Sequence, residues 1–178
     1  GLALVNDLNS DLSYISLQAS ADAATFSGLD SSVVSLTAEN LFVSINQVST
    51  GTTVLDYLEN PLEISTGEGD PVALQFDGNE GAQLKADAQL ALSAGEFFSA
   101  NGNFTIQQYS ETLTLSDASN LNADALLIAA SDINAFAGLN AGTGNALGLD
   151  LGGLDFALGI FSDPANSAKS YLSLKAEA

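Results

Sequence analysis

Hydrophobic and polar residues alternate along most of this chain, and a period of two is typical of β-strands. Clear examples are Ile15-Ser-Leu17-Gln-Ala19, Val34-Ser-Leu36-Thr-Ala38 and Leu147-Gly-Leu149-Asp-Leu151. Successive side chains of a strand point to opposite faces, so each stretch predicts a strand with one apolar face. Apolar residues at helical spacing are nearly absent. The pattern therefore predicts an all-β protein.

Pairs of small or polar residues interrupt several of these stretches before the apolar alternation resumes. Examples are Glu39-Asn40, Ser131-Asp132 and Gly152-Gly153. Gly, Asn and Asp tolerate positive φ and are typical of tight reversals. We therefore expect a repeated unit of a strand, a corner and a second strand that often carries Phe. The first apolar residues of the units are Ile15, Val34, Val72, Leu90, Leu126, Leu147 and Leu172.

The spacing of these units bears on the fold class. Most intervals are similar, which is typical of coils in a parallel β-solenoid, where equivalent Leu residues of successive coils stack. The sequence thus predicts a parallel β-solenoid of about six to eight coils. The alternative is an antiparallel β-sandwich, in which the same segments are hairpin strands. Residues 48–66 are predicted to be a loop or short-helix excursion, and residues 104–115 a hairpin-like pair of strands.

Two distant stretches of the chain repeat each other. Residues 13–21 and 170–178 are identical at six of nine positions and lie 157 residues apart. Internal repetition at a fixed period is the sequence signature of repeat proteins. We therefore predict that residues 1–178 are a single repeat module, one 157-residue period plus an overlap. Its expected partners are neighbouring repeats or copies of itself, end to end, through Ile15, Leu17, Leu172 and Leu174.

The charge balance excludes several classes of partner. The chain has 22 acidic residues, three lysines and no arginine, and its formal net charge is −19. Such a charge repels phosphate backbones and anionic membranes, so we expect no nucleic acid as a partner. No apolar run approaches the roughly 20 residues of a membrane span, so we expect no membrane insertion. Divalent cations are the natural small partners.

Missing residue types limit the chemistry. The chain contains no Cys, His, Trp or Arg, which removes thiolate chemistry and the usual general base. A polysaccharide-active β-helix enzyme needs only two carboxylates, but it also uses cationic or aromatic groups to hold sugars. We therefore expect no enzymatic activity, no catalytic residue and no organic cofactor. A carbohydrate- or ligand-binding β-module remains an alternative, and it predicts a groove with clustered aromatic residues.

Aspartates in predicted turns are the strongest chemical candidates. Ca²⁺ takes six to eight oxygen ligands, which loops rich in Asp, Asn and carbonyl groups supply. The candidate calcium ligands are Asp70, Asp77 and Asp163. The glycine-rich nonapeptide of calcium β-rolls and the aspartate pattern of EF-hands are both absent. The alternative is that these residues form turns and keep the surface soluble.

Longer segments resemble a known class of repeat. These are Leu36-Thr-Ala-Glu-Asn-Leu-Phe-Val-Ser-Ile-Asn46, Gly148-Leu-Asp-Leu-Gly-Gly-Leu-Asp-Phe-Ala-Leu158 and Tyr171-Leu-Ser-Leu-Lys-Ala-Glu-Ala178. Together they resemble the roughly 150-residue tandem repeats of very large secreted bacterial proteins described as adhesin-like or calcium-binding. The resemblance implies a bacterial protein that is secreted or at the cell surface. We expect a non-enzymatic structural module of a fibre or adhesin that self-associates end to end.

Overall fold

The computed structural model describes residues 1–25, 30, 33–67, 69–166 and 168–178. Within these residues it contains ten β-strands and one 3-10 turn, Gly78–Glu80. The strands are β1 (Leu2–Asn6), β2 (Ser13–Thr25), β3 (Val34–Val48), β4 (Leu62–Ile64), β5 (Val72–Leu74), β6 (Gln83–Ala94), β7 (Phe98–Thr114), β8 (Asn120–Leu139), β9 (Leu147–Ser162) and β10 (Ser170–Glu177). The chain is all-β, as its alternation predicts.

Eight of these strands form one sheet in the order β1-β2-β3-β6-β7-β8-β9-β10, and β4 and β5 pair separately. Every neighbouring pair is antiparallel. The prediction of a parallel β-solenoid is therefore wrong. Only three residues separate β6 from β7, whereas a parallel connection needs a dozen or more. The alternative prediction, an antiparallel β-sandwich, had the right strand direction. However, eight strands form one sheet, whereas a sandwich consists of two packed sheets.

The predicted corners lie inside long strands. Asn40 and Asp132 have φ values of 51° and 53°, and the pairing register shifts beside each of them. A left-handed residue and a register shift are the marks of a β-bulge, which bends a strand without reversing it. Units expected to be two strands therefore merge into one, such as the 20-residue β8. Residues 104–115 likewise run along β7 into its turn, so the predicted hairpin-like pair there is wrong.

Strand alternation gives the sheet one apolar and one polar face. Along β6, Leu84, Ala86, Ala88, Leu90, Leu92 and Ala94 alternate with Gln83, Lys85, Asp87, Gln89, Ala91 and Ser93. Residues opposite each other in antiparallel strands share a face, so the register extends this division across the sheet. We call the face of Leu84 the apolar face and the face of Gln83 the polar face.

The segment between β3 and β6 is called the insert, and its described residues, 49–67 and 69–82, pack on the polar face. Leu74, Phe76 and Val54 of the insert are buried. Asn46 of β3 donates from Nδ2 to the Leu55 carbonyl oxygen at 2.8 Å and ties the sheet to the insert. Burying apolar surface while pairing the polar groups beneath it stabilises this contact. The predicted excursion at 48–66 comprises the end of β3, a loop and β4, without a helix.

Candidate functional site

The hairpins β1–β2 and β9–β10 pair their equivalent second strands in a similar way, although the loop of the second hairpin (163–169) is one residue longer than that of the first (7–12). Leu2 pairs with Leu17 in the first, and Leu158 pairs with Leu174 in the second. Leu17 and Leu174 are equivalent positions of the repeated sequence stretch. Because paired residues share a face, and both leucines pair with a leucine, equivalent residues of β2 and β10 lie on the same face of the sheet. The repeat seen in the sequence of one strand thus extends, in structure, to its partner strand.

Both hairpin loops begin with an aspartate that caps the backbone in the same way. Asp7 Oδ1 accepts a hydrogen bond from the Asn9 amide at 2.9 Å, and Asp163 Oδ1 accepts one from the Ala165 amide at 2.9 Å. Such Asx turns start a reversal by replacing a backbone acceptor with a side chain. Asp163, a candidate calcium ligand, thus has a structural role in its loop.

Hydrogen bonds to the Asp7 carboxylate also shift its titration. The Ser10 hydroxyl donates to Asp7 Oδ2 at 2.6 Å. This bond, followed by the bond from the Asn9 amide, holds the pKa of Asp7 below its ordinary value because both favour the charged form. The same cause, hydrogen bonds from Ser119, lowers the pKa of Asp117 in the turn between β7 and β8.

The four predicted interface residues all lie on the apolar face. Ile15 and Leu17 of β2 are half-buried, whereas Leu172 and Leu174 of β10 are exposed. The two pairs occupy equivalent places in hairpins at opposite ends of the sheet order. The structure therefore does not bring them into one cluster within the chain.

Strands β1 and β10 form the two edges of the sheet. Each has a strand neighbour on one side, so its outer backbone N–H and C=O groups face outward without a strand neighbour in the described sheet. All eight residues of β10 are exposed. Such edges are templates for pairing with another chain or segment. The outer edge of β10 is thus an open pairing surface in the described sheet.

A polar groove lies on the polar face, at the ends of the strands far from the insert. Its volume is about 500 Å³. Its polar lining includes Ser35, Thr37, Ser93, Ser99, Asn101, Asn134 and Asp150. One wall is the loop between β8 and β9, where Thr143 Oγ1 donates to the Asn140 carbonyl oxygen at 2.9 Å. Sequence analysis missed this groove, although polar residues at alternate strand positions were a signal of it.

The groove contains one aromatic side chain, Phe136, among its lining residues. Hydroxyl and amide groups can pair with a neutral polar ligand, but the clustered aromatics expected of a sugar-binding site are not there. The ligand-binding alternative therefore stays a prediction.

The candidate calcium ligands are distributed over separate loops. Asp70 precedes β5, and Asp77 caps the 3-10 turn by accepting from the Asn79 amide at 2.8 Å, while Asp163 is in the β9–β10 loop. In the described ranges, no three His, Cys, Asp or Glu side chains are grouped so that they could hold a metal ion. Calcium binding stays a prediction, which melting curves with and without millimolar Ca²⁺ test.

Comparison with protein-family models, curated proteins and solved structures gave no match to this chain. Among the residues that the structure describes, no helix is long and apolar enough to cross a membrane.

Proposed function

We propose that this chain is a non-enzymatic structural repeat module of a secreted or cell-surface bacterial fibre or adhesin, and that its sheet edges join neighbouring modules. The observation that supports this proposal is that equivalent residues of β2 and β10 pair with similar residues in hairpins β1–β2 and β9–β10: Leu17 with Leu2, and Leu174 with Leu158. Two equivalent hairpins at opposite ends of one sheet allow the last hairpin of one module to serve as the first hairpin of the next.

The equivalence of the two hairpins also predicts how one module would contact the next, and we call this contact the joint. Since β10 corresponds to β2, its outer edge would pair with a strand equivalent to β3, and the sheet would continue without a break. An insert of the next module would then cover Ser173, as the present insert covers Ser16, which is fully buried. Each added period would contribute six strands to the main sheet and one insert. Module after module, the sheet would grow in length, which is what a fibre requires.

Charge supports the same role. The net charge of −19 makes separate fibres repel one another at low salt, whereas salt screens this repulsion beyond about 10 Å at 0.1 M. Neighbouring modules of one fibre carry the same charge, but they are parts of one chain, so the repulsion does not separate them. The proposed role of the acidic surface is therefore to limit lateral clumping.

A tandem protein tests the joint. It consists of residues 1–178 followed directly by residues 22–178, so that Ala178 takes the place of Ala21. We expect a single cooperative unfolding transition, and slower hydrogen exchange of the internal β10 amides than in the single module, since those amides gain strand partners.

The matched control has one additional alanine after Ala178. One extra residue in a strand moves every following side chain to the opposite face, so the second half should no longer join in register. If the two tandem proteins unfold alike, and β10 exchanges as fast in both as in the single module, the proposed joint is wrong.

The second candidate function, an extracellular carbohydrate- or ligand-binding module, is favoured by the polar groove. Its test is NMR titration with neutral oligosaccharides, comparing the chain with Asn101→Leu, which removes an amide from the groove. Shifts confined to groove residues and lost in the variant would support this function. No shift at about 10 mM ligand would mean that the binding free energy is weaker than roughly −3 kcal/mol, and it would eliminate this function.

A further inference from the structure

The apolar face contains rows of paired residues that cross all or most of the sheet without a charged side chain. One row is Leu2, Leu17, Ile45, Leu84, Gln108, Leu126, Ile160 and Leu172. A second is Ala19, Val43, Ala86, Ile106, Ile128, Leu158 and Leu174. A third is Leu36, Leu92, Ala100, Ala135 and Leu151.

Much of this face is exposed to solvent. Leu147, Leu149 and Leu172 are 72%, 61% and 68% exposed, and Ile106, in the interior strand β7, is 43% exposed. The insert packs on the opposite, polar face, so it does not cover these residues. Contiguous apolar surface of this extent marks an interaction site, because leaving it in water is costly.

The size of the face suits a protein partner. Six of the eight strands, β2, β3, β6, β7, β8 and β9, contain 12 or more residues. Six strands about 4.8 Å apart are roughly 29 Å wide, and about ten residues of shared strand length add roughly 33 Å in the other direction. The resulting area of about 950 Å² exceeds the roughly 800 Å² that each partner contributes to a standard stable interface.

Charge selects the kind of partner. Lys85 and Lys175 project from the polar face, and Lys169 is in a loop, so no lysine reaches from the apolar rows toward lipid phosphates. A second copy of the same face supplies an equal apolar area, and it brings no carboxylates together within the rows. Sheets pack face to face about 10 Å apart in this manner.

We propose that two copies of this chain pack apolar face against apolar face as a closed two-layer dimer, with both inserts on the outside. A twofold axis makes the same patch serve on both copies. This contact uses the faces of interior strands, whereas the tandem joint uses the sheet edges. The dimer and the repeat role therefore stand or fall separately.

Sedimentation equilibrium of the 178-residue chain tests the dimer, with Ile106→Glu and Gln107→Glu as a matched pair. The two variants add the same charge to neighbouring positions of β7, the first on the apolar face and the second on the polar face. We expect a dimer whose Kd rises on the order of 100-fold or more in Ile106→Glu, because a carboxylate would be buried without a partner. Gln107→Glu should change the Kd less than about threefold, as expected of a solvated charge.

The other possible results of the sedimentation experiment also decide the proposal. If Ile106→Glu loses the β-sheet circular dichroism signal, Leu149→Glu takes its place, since Leu149 is exposed on the same face. A wild-type monomer at about 100 µM, far above typical dimer Kd values, overturns the proposal. Equal dimerisation of the two variants also overturns it, as does open-ended association. Binding of the monomer to phosphatidylcholine vesicles would identify lipid as the occupant instead.

Discussion

The first and last hairpins of the sheet have equivalent second strands and loops that begin with the same kind of Asx turn, but different surroundings. Ser16 of β2 is fully buried and donates to Asn46 Oδ1 at 3.0 Å, whereas the equivalent Ser173 of β10 is exposed. Two features cause this difference: β10 is an edge strand without a neighbour equivalent to β3, and the insert covers the polar face beside β2 only. Local sequence is thus enough for the pairing of a hairpin, but its burial depends on a segment from elsewhere in the chain.

The insert also adds hydrogen bonds between β2 and a distant part of the chain. Gln18 of β2 donates from Nε2 to the Gln75 carbonyl oxygen at 2.8 Å, and its Oε1 accepts from the Gln75 amide at 3.0 Å. The equivalent residue of β10, Lys175, forms an exposed ion pair with Glu177 at 3.0 Å. An exposed pair of this kind contributes little to stability. We therefore expect the two ends of the sheet to differ in resistance to unfolding, which three variants test.

The largest effect is expected when the core under the insert loses a side chain. Leu74→Ala removes a fully buried leucine and leaves a cavity, which should lower the free energy of unfolding by about 2–4 kcal/mol. The control is Leu174→Ala, an exposed leucine of β10, with an expected change below about 0.5 kcal/mol. Urea denaturation measures both. Equal losses would show that the insert does not create the difference between the hairpins.

A smaller loss is expected from the buried polar contact between sheet and insert. Asn46→Ala leaves the Ser16 hydroxyl and the Leu55 carbonyl without their partner, at a cost of about 1–3 kcal/mol. The control is Asn122→Ala, because Asn122 accepts from Thr112 Oγ1 at 2.8 Å in an exposed position. We expect that variant to lose less than about 0.5 kcal/mol. A loss in Asn122→Ala as large as that in Asn46→Ala would argue against burial as the cause.

The smallest effect concerns the turn of the first hairpin and depends on pH. The folded-state pKa of Asp7 is lowered by the hydrogen bonds that it accepts from Ser10 and Asn9. The contribution of Asp7 to the stability of the folded protein is therefore present above the unfolded pKa of about 3.9. That contribution is lost as the pH falls through the folded-state pKa. Asp7→Asn should therefore melt below the wild-type protein near neutral pH, and the gap should narrow in acid. A gap in melting temperature that stays constant from neutral pH to pH 2, below the usual Asp range, would contradict this assignment.

Much of the strand content could be predicted from the sequence. Alternation along segments such as residues 83–94 gives the extended conformation and the two faces directly, because side chains of a strand alternate by geometry. The repeat at residues 170–178 likewise predicted two equivalent strands, whose register the structure supplies. The polar groove could not be predicted, because Ser35, Ser93 and Asp150 are far apart in sequence and meet only through strand order.

Residue types alone determined where the chain is extended and where positive φ is tolerated. Tertiary structure decided whether such a position reverses the chain or bends a strand. Asn40 and Asp132 look like corners in sequence, yet neighbouring strands pair on both sides of them and turn each into a bulge. Strand direction and the site of the insert were decided in the same way, since both depend on hydrogen bonds between distant residues, which local conformational preference does not encode.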